Sequence, residues 1–339
     1  MSALAITLLV VSPLPLFLFK VQADTPSFAQ NNPVSSSNLP IAVVISREIK
    51  PFIEMVEGFE SSFDQRVVRI FLDPNSSPFS HDPLYKGTLL SSYSFMIAVG
   101  PSALSYIIQN NSLTGERLSY NARKVLYAMV LNPETIIPEN VPICGISLNL
   151  FSEESVSKIV KVFPSIKKIG ILFDPANNSK WFERALKRGV FSKVTPVPIH
   201  IKEQADLNSL NQKDDLNVDA LLFIPDKTVT SPTIISHIIK QSIAKKIPVI
   251  GYNSFFHKSG AALSFILDYT LIGQQMAEKV IELSREEYSG KEPPAEQLDY
   301  EKSCEPSTPA YHITLNRAVV ELLNLELGSS LPSELKVEP

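Results

Sequence analysis

The chain has 339 residues, which is too long for a single ordinary hydrophobic core. This length suits two domains of roughly 130–150 residues each. Hydrophobic residues make up 44% and charged residues 19%, which is typical of a globular protein and excludes a disordered one. The net charge of −4, without a long basic run, gives no electrostatic footprint for nucleic acid, so no nucleic-acid partner is expected.

The N-terminal segment is almost continuously apolar. Small or short residues precede two possible cleavage points, after Ala23 and after Ala29, so residues 1–23 are predicted to be a secretory signal peptide. Residues 24–38, rich in Ser, Asn and Pro, are predicted to form a disordered leader. The apolar run is short for a bilayer span and contains two prolines, which argues against a permanent anchor. A periplasmic or other extracytoplasmic location is therefore expected.

In the first block, short apolar runs alternate with helical patterns. Strands are predicted at residues 41–45, 67–72, 95–100 and 124–130. Residues 73–83 are predicted to be a loop from their Pro, Ser and Asp content. Pro101 fits the first turn of a helix that follows the third strand. The proline-bounded segment 140–150 ends this block.

The second block restarts at Ser152, where two acids at the positive end of the helix dipole predict a helix to Phe163. Strands are predicted at residues 168–175, 194–200, 219–225, 247–251 and 261–267. Helices are predicted at residues 177–189, 232–246 and 271–288, with a loop at 252–260 and a last strand–helix pair at 311–325.

This alternation predicts two doubly wound α/β lobes with parallel sheets and a ligand cleft between them. The N-terminal lobe is expected to comprise residues 39–142 plus about 269–296. The C-terminal lobe is expected to comprise residues 143–268 plus about 297–333.

In such a fold, ligands meet the loops at the carboxyl ends of the strands, beside helix N-termini. The polar residues at these positions are Ser46, Ser102 after Gly100, Asn132, Ser147, Asn178, Ser179, Asp226, Asn253 and Asp268. Hydroxyls and helix N-termini suit a carboxylate, and Asp226 or Asp268 suits an ammonium, so the set can hold a zwitterion. An apolar or stacking wall is expected from Tyr252, Phe255, Phe256 and Tyr269.

Each candidate also has a purely structural alternative. Helix capping would explain Ser102, Ser179 and Asp268. Asp226 with Lys227 would be a solvated turn, and Phe255 and Phe256 would pack the lobe. Trp181 is predicted to be a core residue of its helix rather than a ligand contact.

Metal, cofactor and enzyme signatures are absent from the sequence. The five histidines have no metal-ligand spacing, and the motifs of hydrolases, nucleotide-binding loops and zinc proteases are missing. No catalytic residue, metal or cofactor is therefore expected. The two cysteines, Cys144 and Cys304, lack C-x-x-C spacing, and export would permit a disulfide; a disulfide and two free buried thiols both remain open.

Four segments together resemble one family: residues 145–179, 218–229, 246–283 and 311–327. They resemble the extracytoplasmic substrate-binding proteins of ABC importers, in the subgroup whose characterised members bind tryptophan and tyrosine. The resemblance covers most of residues 95–330. It implies the type I periplasmic-binding fold, with two α/β lobes, three crossings and a closing cleft.

The family's ligand-contacting loops fall on Gly100 to Ala103, Ser147, Asn178, Ser179, Asp226, Asn253 and Asp268. This chain departs from the family after the third strand, where Gly100-Pro101-Ser102 replaces Gly-Thr. Residues 46–94 match poorly, so the resemblance says least about the first-lobe half of the pocket.

The leading hypothesis is a solute-binding receptor of an ABC importer. It would capture a small solute, with an aromatic amino acid as the candidate, by closure of two lobes. Delivery would be to a membrane permease and its ATPase in the inner membrane, and the receptor is expected to be a monomer. The alternative is a ligand-sensing module that presents its closed state to a membrane receptor or sensor kinase. An enzyme on this fold is least favoured, because no nucleophile–base pair is found.

Overall fold

The computed structural model describes residues 39–72, 93–110, 124–138, 141, 143–203, 205–206, 216–229, 231–288 and 307–338. The predicted signal peptide and leader, the predicted loop at residues 73–83 and Cys304 lie outside these ranges. Within the ranges, no helix combines the length and the apolar character needed to cross a membrane.

The strands are β1 Ile41–Ile45, β2 Val67–Phe71, β3 Met96–Val99, β4 Val125–Val130, β5 Cys144–Ser147, β6 Lys168–Phe173, β7 Thr195–His200, β8 Ala220–Phe223, β9 Val249–Gly251, β10 Leu263–Leu267, β11 Tyr311–Asn316 and β12 Leu335–Glu338. The helices of the described residues are α1 Lys50–Glu60, α2 Pro101–Asn110, α3 Glu153–Val162, α4 Pro175–Lys187, α5 Pro232–Ala244, α6 Ser254–Lys258, α7 Tyr269–Tyr288 and α8 Arg317–Leu323.

These elements confirm the predicted alternation of strand and helix. Three elements were missed. Strand β5 lies in the proline-bounded segment 140–150, for which no strand was predicted. The predicted loop at residues 252–260 contains the short helix α6, which Asn253 caps, and β12 lies beyond the predicted elements.

Five parallel strands form the first sheet, in the order β2-β1-β3-β4-β5. Strands β1, β3 and β4 are buried along their whole length because helices cover both faces, which explains their continuous apolar sequences. Strand β5 pairs with β4, so the first sheet extends beyond the expected lobe boundary at residue 142. The prolines that bound residues 140–150 interrupt the chain but leave room for a short strand at the sheet edge.

Cys144 of β5 is buried and disulfide-bonded. The alternative of a free thiol at this position is therefore wrong. Cys304 is the only other cysteine of the chain.

Helix α7 packs against α1 on one face of the first sheet, although the two helices are far apart in sequence. Two glycines permit the close approach. A Cβ on Gly58 would lie 2.2 Å from the carbonyl oxygen of Thr270, and a Cβ on Gly273 would lie 2.1 Å from that of Met55. The contact therefore brings helix backbones together, which only glycine allows.

Seven strands form the second sheet, in the order β12-β11-β10-β9-β8-β6-β7. Its neighbours are parallel except β10 and β11, which are antiparallel. Strand β11 reverses because the chain enters it from the first lobe, where Ser307 bridges to Ile146 of β5. Helices α3, α4 and α8 cover one face of this sheet, and α5 and α6 cover the other.

Three chain segments pass between the lobes within the described residues, as the resemblance implied. The first follows β5, the second passes through Asp268 between β10 and α7, and the third is residues 307–310. Hydrogen bonds tie the second and third together: Asp268 N donates to Ala310 O at 3.0 Å, and Ala310 N donates to Oε1 of Gln275 at 2.9 Å. Nε2 of Gln275 also donates to Thr308 O at 3.4 Å.

Candidate functional site

A chain of buried polar side chains joins the two lobes. Asn132 follows β4 in the first lobe, Asn178 lies in the first half of α4, and Asp226 follows β8. Nδ2 of Asn132 donates to Oδ1 of Asn178 at 2.9 Å, and Nδ2 of Asn178 donates to Oδ2 of Asp226 at 2.6 Å. All three residues are at most 7% exposed. The structure therefore brings together three of the residues predicted from the sequence.

The Asp226 carboxylate has donors on both oxygens from its own lobe. Oδ2 also accepts from the backbone N of Asp174 at 2.9 Å, and Oδ1 accepts from the backbone N of Thr228 at 2.8 Å. Nδ2 of Asn177 approaches Oδ1 at 3.4 Å. The alternative of a solvated turn at Asp226 is wrong, because the residue is only 6% exposed. Its observed contacts orient the start of α4 and Asn178.

The end of β4 has an unusual backbone. The register of β4 against β5 shifts between Ala128 and Val130, and the intervening Met129 has φ 59°. Asn132 has φ 49°, also left-handed. A bulge and a left-handed methionine are costly features that recur beside functional sites. Here they position Asn132 between the lobes.

A small, partly open pocket lies beside Asn132, with Asn178 on its wall. It is lined by Leu131, Asn149, Leu150, Phe151, Asn178, Trp181, Ile224 and Pro225. Two carboxamides and an apolar wall therefore meet at this point. Trp181 packs in the second-lobe core, as predicted, and also lines the pocket. Sequence reasoning missed Asn149, although it follows β5 by two residues, where a ligand contact is expected.

In the first lobe, Ser46, Gly100 and Ala103 lie together at the start of α2. Oγ of Ser46 accepts from the backbone N of Ala103 at 2.8 Å. Gly100 has φ +91°, and a Cβ there would lie 2.7 Å from Oγ of Ser46 and 2.6 Å from the Phe52 ring. Ser102 is exposed within the first turn of α2 and is not its cap, because the helix begins at Pro101. Ser46 satisfies a first-turn amide instead.

Ser147 and Ser179 do not line the pocket but adjoin Asn149 and Asn178, which do. Oγ of Ser147 accepts from the backbone N of Asn149 at 3.0 Å. Ser179 is half-buried within α4 and is not its cap, since Oδ1 of Asp174 accepts from the backbone N of Ala176 at 2.9 Å. The capping alternative for Ser179 is therefore wrong.

Asn253 and Asp268 are helix caps. Oδ1 of Asn253 accepts from the backbone N of Phe255 at 3.0 Å and of Phe256 at 3.3 Å. Oδ1 of Asp268 accepts from the backbone N of Leu271 at 3.0 Å. The capping alternative is thus confirmed for Asp268.

The expected aromatic wall is partly a core cluster. Phe256 is fully buried, and its ring centroid lies 4.8 Å from that of Tyr252 and 5.1 Å from that of Phe223. Burial raises the pKa of Tyr252 above its ordinary value, and the charge of Asp226 adds to this shift. Both effects disfavour the ionised form of the Tyr252 hydroxyl.

A second polar contact links the lobes. Arg184 of α4 forms an ion pair with Glu134, which lies in the 3₁₀ turn Pro133–Thr135 after β4. In the part of the chain that the structure describes, no three His, Cys, Asp or Glu side chains are grouped to hold a metal ion.

Two α/β lobes, joined by three crossings and meeting at a polar chain beside a pocket, define a two-lobed binding-protein fold. The model of the family described as "ABC transporter substrate binding protein" matches residues 133–297. This stretch of the chain, just under half of its length, is therefore similar to ABC transporter substrate-binding proteins. A search of curated protein sequences finds no significant match.

Solved structures share the fold. A ligand-free, open substrate-binding protein with adhesive properties from Clostridium difficile is 16% identical, with a TM-score of 0.58. An ABC domain from Streptococcus pneumonia in complex with L-Trp is 14% identical, with a TM-score of 0.51. A conserved domain protein from Vibrio cholerae is 17% identical, also with a TM-score of 0.51. Each alignment covers 88% of this chain and 99% of the other.

Proposed function

We propose that the protein is the solute-binding receptor of an ABC importer, capturing a small solute between its two lobes and delivering it to a membrane permease. The observation that carries this proposal is the buried hydrogen bond from Asn132 to Asn178. It joins the lobes beside a pocket, and Asn178 lies within residues 133–297, the segment that matches the family model. A solute at that point contacts both lobes at once.

Closure would supply both affinity and a signal. A solute that contacts groups on both lobes stabilises the closed arrangement over the open one, by the difference in its affinity for the two. The permease can then distinguish a loaded receptor from an empty one by shape. The crossings are the segments about which such a motion would turn.

An aromatic amino acid is the proposed solute. Phe151 and Trp181 give the pocket aromatic surface, and Asn149 and Asn178 give it hydrogen-bonding carboxamides. The structural relative from Streptococcus pneumonia, which was solved with L-Trp, supports the same solute class. The first turn of α2, with Ser102 exposed on it, is proposed to hold the carboxylate, because a helix N-terminus attracts anions and the Ser102 hydroxyl can donate to one.

The remaining predicted residues are proposed to shape the site. Ser46, Gly100, Ala103, Ser147 and Asp226 would fix its walls, and Ser179, Tyr252, Asn253 and Asp268 would line its approach from the second lobe. The receptor is proposed to act as a monomer outside the cytoplasm, after loss of the signal peptide, with the permease and its ATPase as partners.

A thermal-shift screen of the chain from residue 30 onward tests the proposal. The panel comprises amino acids, nucleosides, sugars and small peptides. L-tryptophan or L-tyrosine is expected to raise the melting temperature progressively once its concentration exceeds the dissociation constant. If no solute of any class shifts the melting temperature, the receptor function is wrong. A shift by another class alone would overturn only the aromatic assignment.

A further inference from the structure

One acceptor in the polar chain between the lobes lacks a protein partner. Asn132 is 7% exposed, and its Oδ1 makes no hydrogen bond within the described residues. Buried carbonyl oxygens are nearly always paired, so an unpaired one calls for a ligand or a water molecule.

The identity of this atom follows from its neighbours. A carboxylate can only accept, so Nδ2 of Asn178 must point at Asp226, at 2.6 Å. Oδ1 of Asn178 then faces Asn132, whose Nδ2 must donate, at 2.9 Å. The remaining atom of the Asn132 carboxamide is therefore its carbonyl oxygen, and exchanging the two atoms would place two oxygens together.

Asn132 does not line the pocket itself, but its neighbours place its carboxamide directly beside it. Leu131 precedes it in the chain, Asn149 accepts from its backbone N at 3.4 Å, and Asn178 accepts from its side chain. All three of these neighbours line the pocket. Met129 and Asn132 both have left-handed backbones, which is costly for the methionine and common for asparagine.

We propose that Oδ1 of Asn132 is the specificity-determining acceptor of the site, taking an N–H or O–H donor from the solute and preferring an ammonium. This inference rests on the proposed function and deepens it. The negative charge of Asp226 polarises Asn178, which in turn polarises Asn132, because aligned hydrogen bonds strengthen one another in a buried setting. Asp226 thus favours a cationic donor through two carboxamides, without touching the solute.

Titration calorimetry with matched solutes tests the proposal. L-tryptophan is compared with indole-3-propionate, and L-tyrosine with 3-(4-hydroxyphenyl)propionate, because each second compound lacks only the ammonium group. In the wild type, loss of the ammonium is expected to weaken binding by about 10- to 100-fold. In Asn132→Gly, the same comparison is expected to differ by no more than about threefold.

Glycine is the appropriate substitution because it accepts the φ of 49° without strain. Asn324→Gly is the matched control: Asn324 has φ 51°, caps the end of α8 and is exposed in the second lobe. It is expected to keep the full discrimination of the wild type. Melting temperatures of both variants show whether a change in binding reflects loss of folding.

Several results would overturn the inference. Equal wild-type affinity for the amino acids and their deaminated partners would mean that a water molecule, and not the solute, donates the hydrogen bond to Oδ1 of Asn132. Full discrimination in Asn132→Gly would place the ammonium elsewhere. If none of the four probes binds, the ammonium assignment fails for aromatic amino acids, while the wider thermal-shift panel still decides whether the chain is a receptor.

Discussion

Arg184 of the second lobe and Glu134 of the first lobe form an ion pair at the edge of the interlobe contact. Their side chains are 39% and 27% exposed, so the pair is screened by water and contributes less than about 1 kcal/mol to folding. Because the ion pair joins the two lobes, it affects how they are held together rather than the stability of either core. With the Asn132–Asn178 hydrogen bond, it gives the lobes two polar contacts that do not depend on solute.

Reversing one charge of this pair should weaken solute binding. Arg184→Glu places like charges across the lobes, so we expect the affinity for a bound solute to fall by roughly three- to fivefold. The double variant Glu134→Arg with Arg184→Glu should recover most of the loss. Titration calorimetry at low and high salt measures both. Lys187→Glu, on the exposed side of the same helix, is the control; an equal loss there would mean that net charge, not the pair, matters.

Removing the buried carboxylate of Asp226 should destabilise the protein without solute. Asp226→Ala leaves the amides of Asp174 and Thr228 and the carboxamide of Asn178 without their acceptor. We expect the free energy of unfolding to fall by about 3 kcal/mol or more. Denaturant unfolding of the ligand-free protein measures this.

Asp219→Ala is the matched control for Asp226. Its Oδ2 accepts from the backbone N of Lys167 and of Lys168, both at 2.7 Å, but the residue is exposed, so water can replace it. The expected loss is below about 1 kcal/mol. Wild-type stability of Asp226→Ala together with lost binding would instead make Asp226 a direct solute contact.

Adding one methyl group at Gly273 should disrupt the packing of α7 on α1. The new Cβ would meet the backbone oxygen of Met55, which cannot move aside as a side chain can, so Gly273→Ala should cost about 2 kcal/mol or more. Gly189→Ala is the control that separates steric clash from backbone strain. Nothing lies within 4 Å of the Cβ position of residue 189, but its φ is +70°, so only backbone strain is added. It should cost only about 1 kcal/mol. Similar losses for both variants would contradict the steric account.

The ion pair between Lys158 and Glu334 should make the stability of the protein fall at acid pH. Lys158 of α3 lies 2.6 Å from Glu334, and its hydrogen bond holds the pKa of Glu334 below the ordinary value of 4.5. A depressed carboxyl pKa stabilises the fold above the unfolded pKa, and this contribution is lost as the pH falls through the folded pKa. As the pH is lowered below about 4.5, the melting temperature should therefore fall less in Glu334→Gln than in the wild type. The exposed Glu321→Gln should follow the wild-type curve.

Much of the fold could be predicted from the sequence, because buried parallel strands have continuous apolar runs. Strands β1, β3, β4, β6 and β8 are of this kind. The edge strand β7 was weaker because Pro196 and Pro198 interrupt it, and β12 was missed because three of its four residues are exposed. The place of β5 in the first sheet could not be predicted, since pairing with β4 is a contact between strands and leaves no local signal.

The site was predictable by position but not by role. Asn132, Asn178 and Asp226 lie after β4, early in α4 and after β8, where ligand contacts are expected, and they meet. Sequence position could not show that Asp226 is surrounded by donors from its own lobe, or that Ser46 rather than Ser102 serves α2. Glu134 and Arg184 were missed because an ion pair between residues 50 positions apart has no sequence pattern.

The hydrogen bonds of Gln275 have a consequence for how the protein unfolds. This one side chain on α7 hydrogen-bonds to residues 308 and 310, and the backbone of Asp268 hydrogen-bonds to Ala310. Two of the crossings between the lobes are therefore bonded to each other at the same place. Unfolding of either lobe would break these hydrogen bonds and detach α7 from the first sheet. The chain should therefore melt in one cooperative transition, and a solute bound mainly by one lobe should protect amides in both from hydrogen exchange.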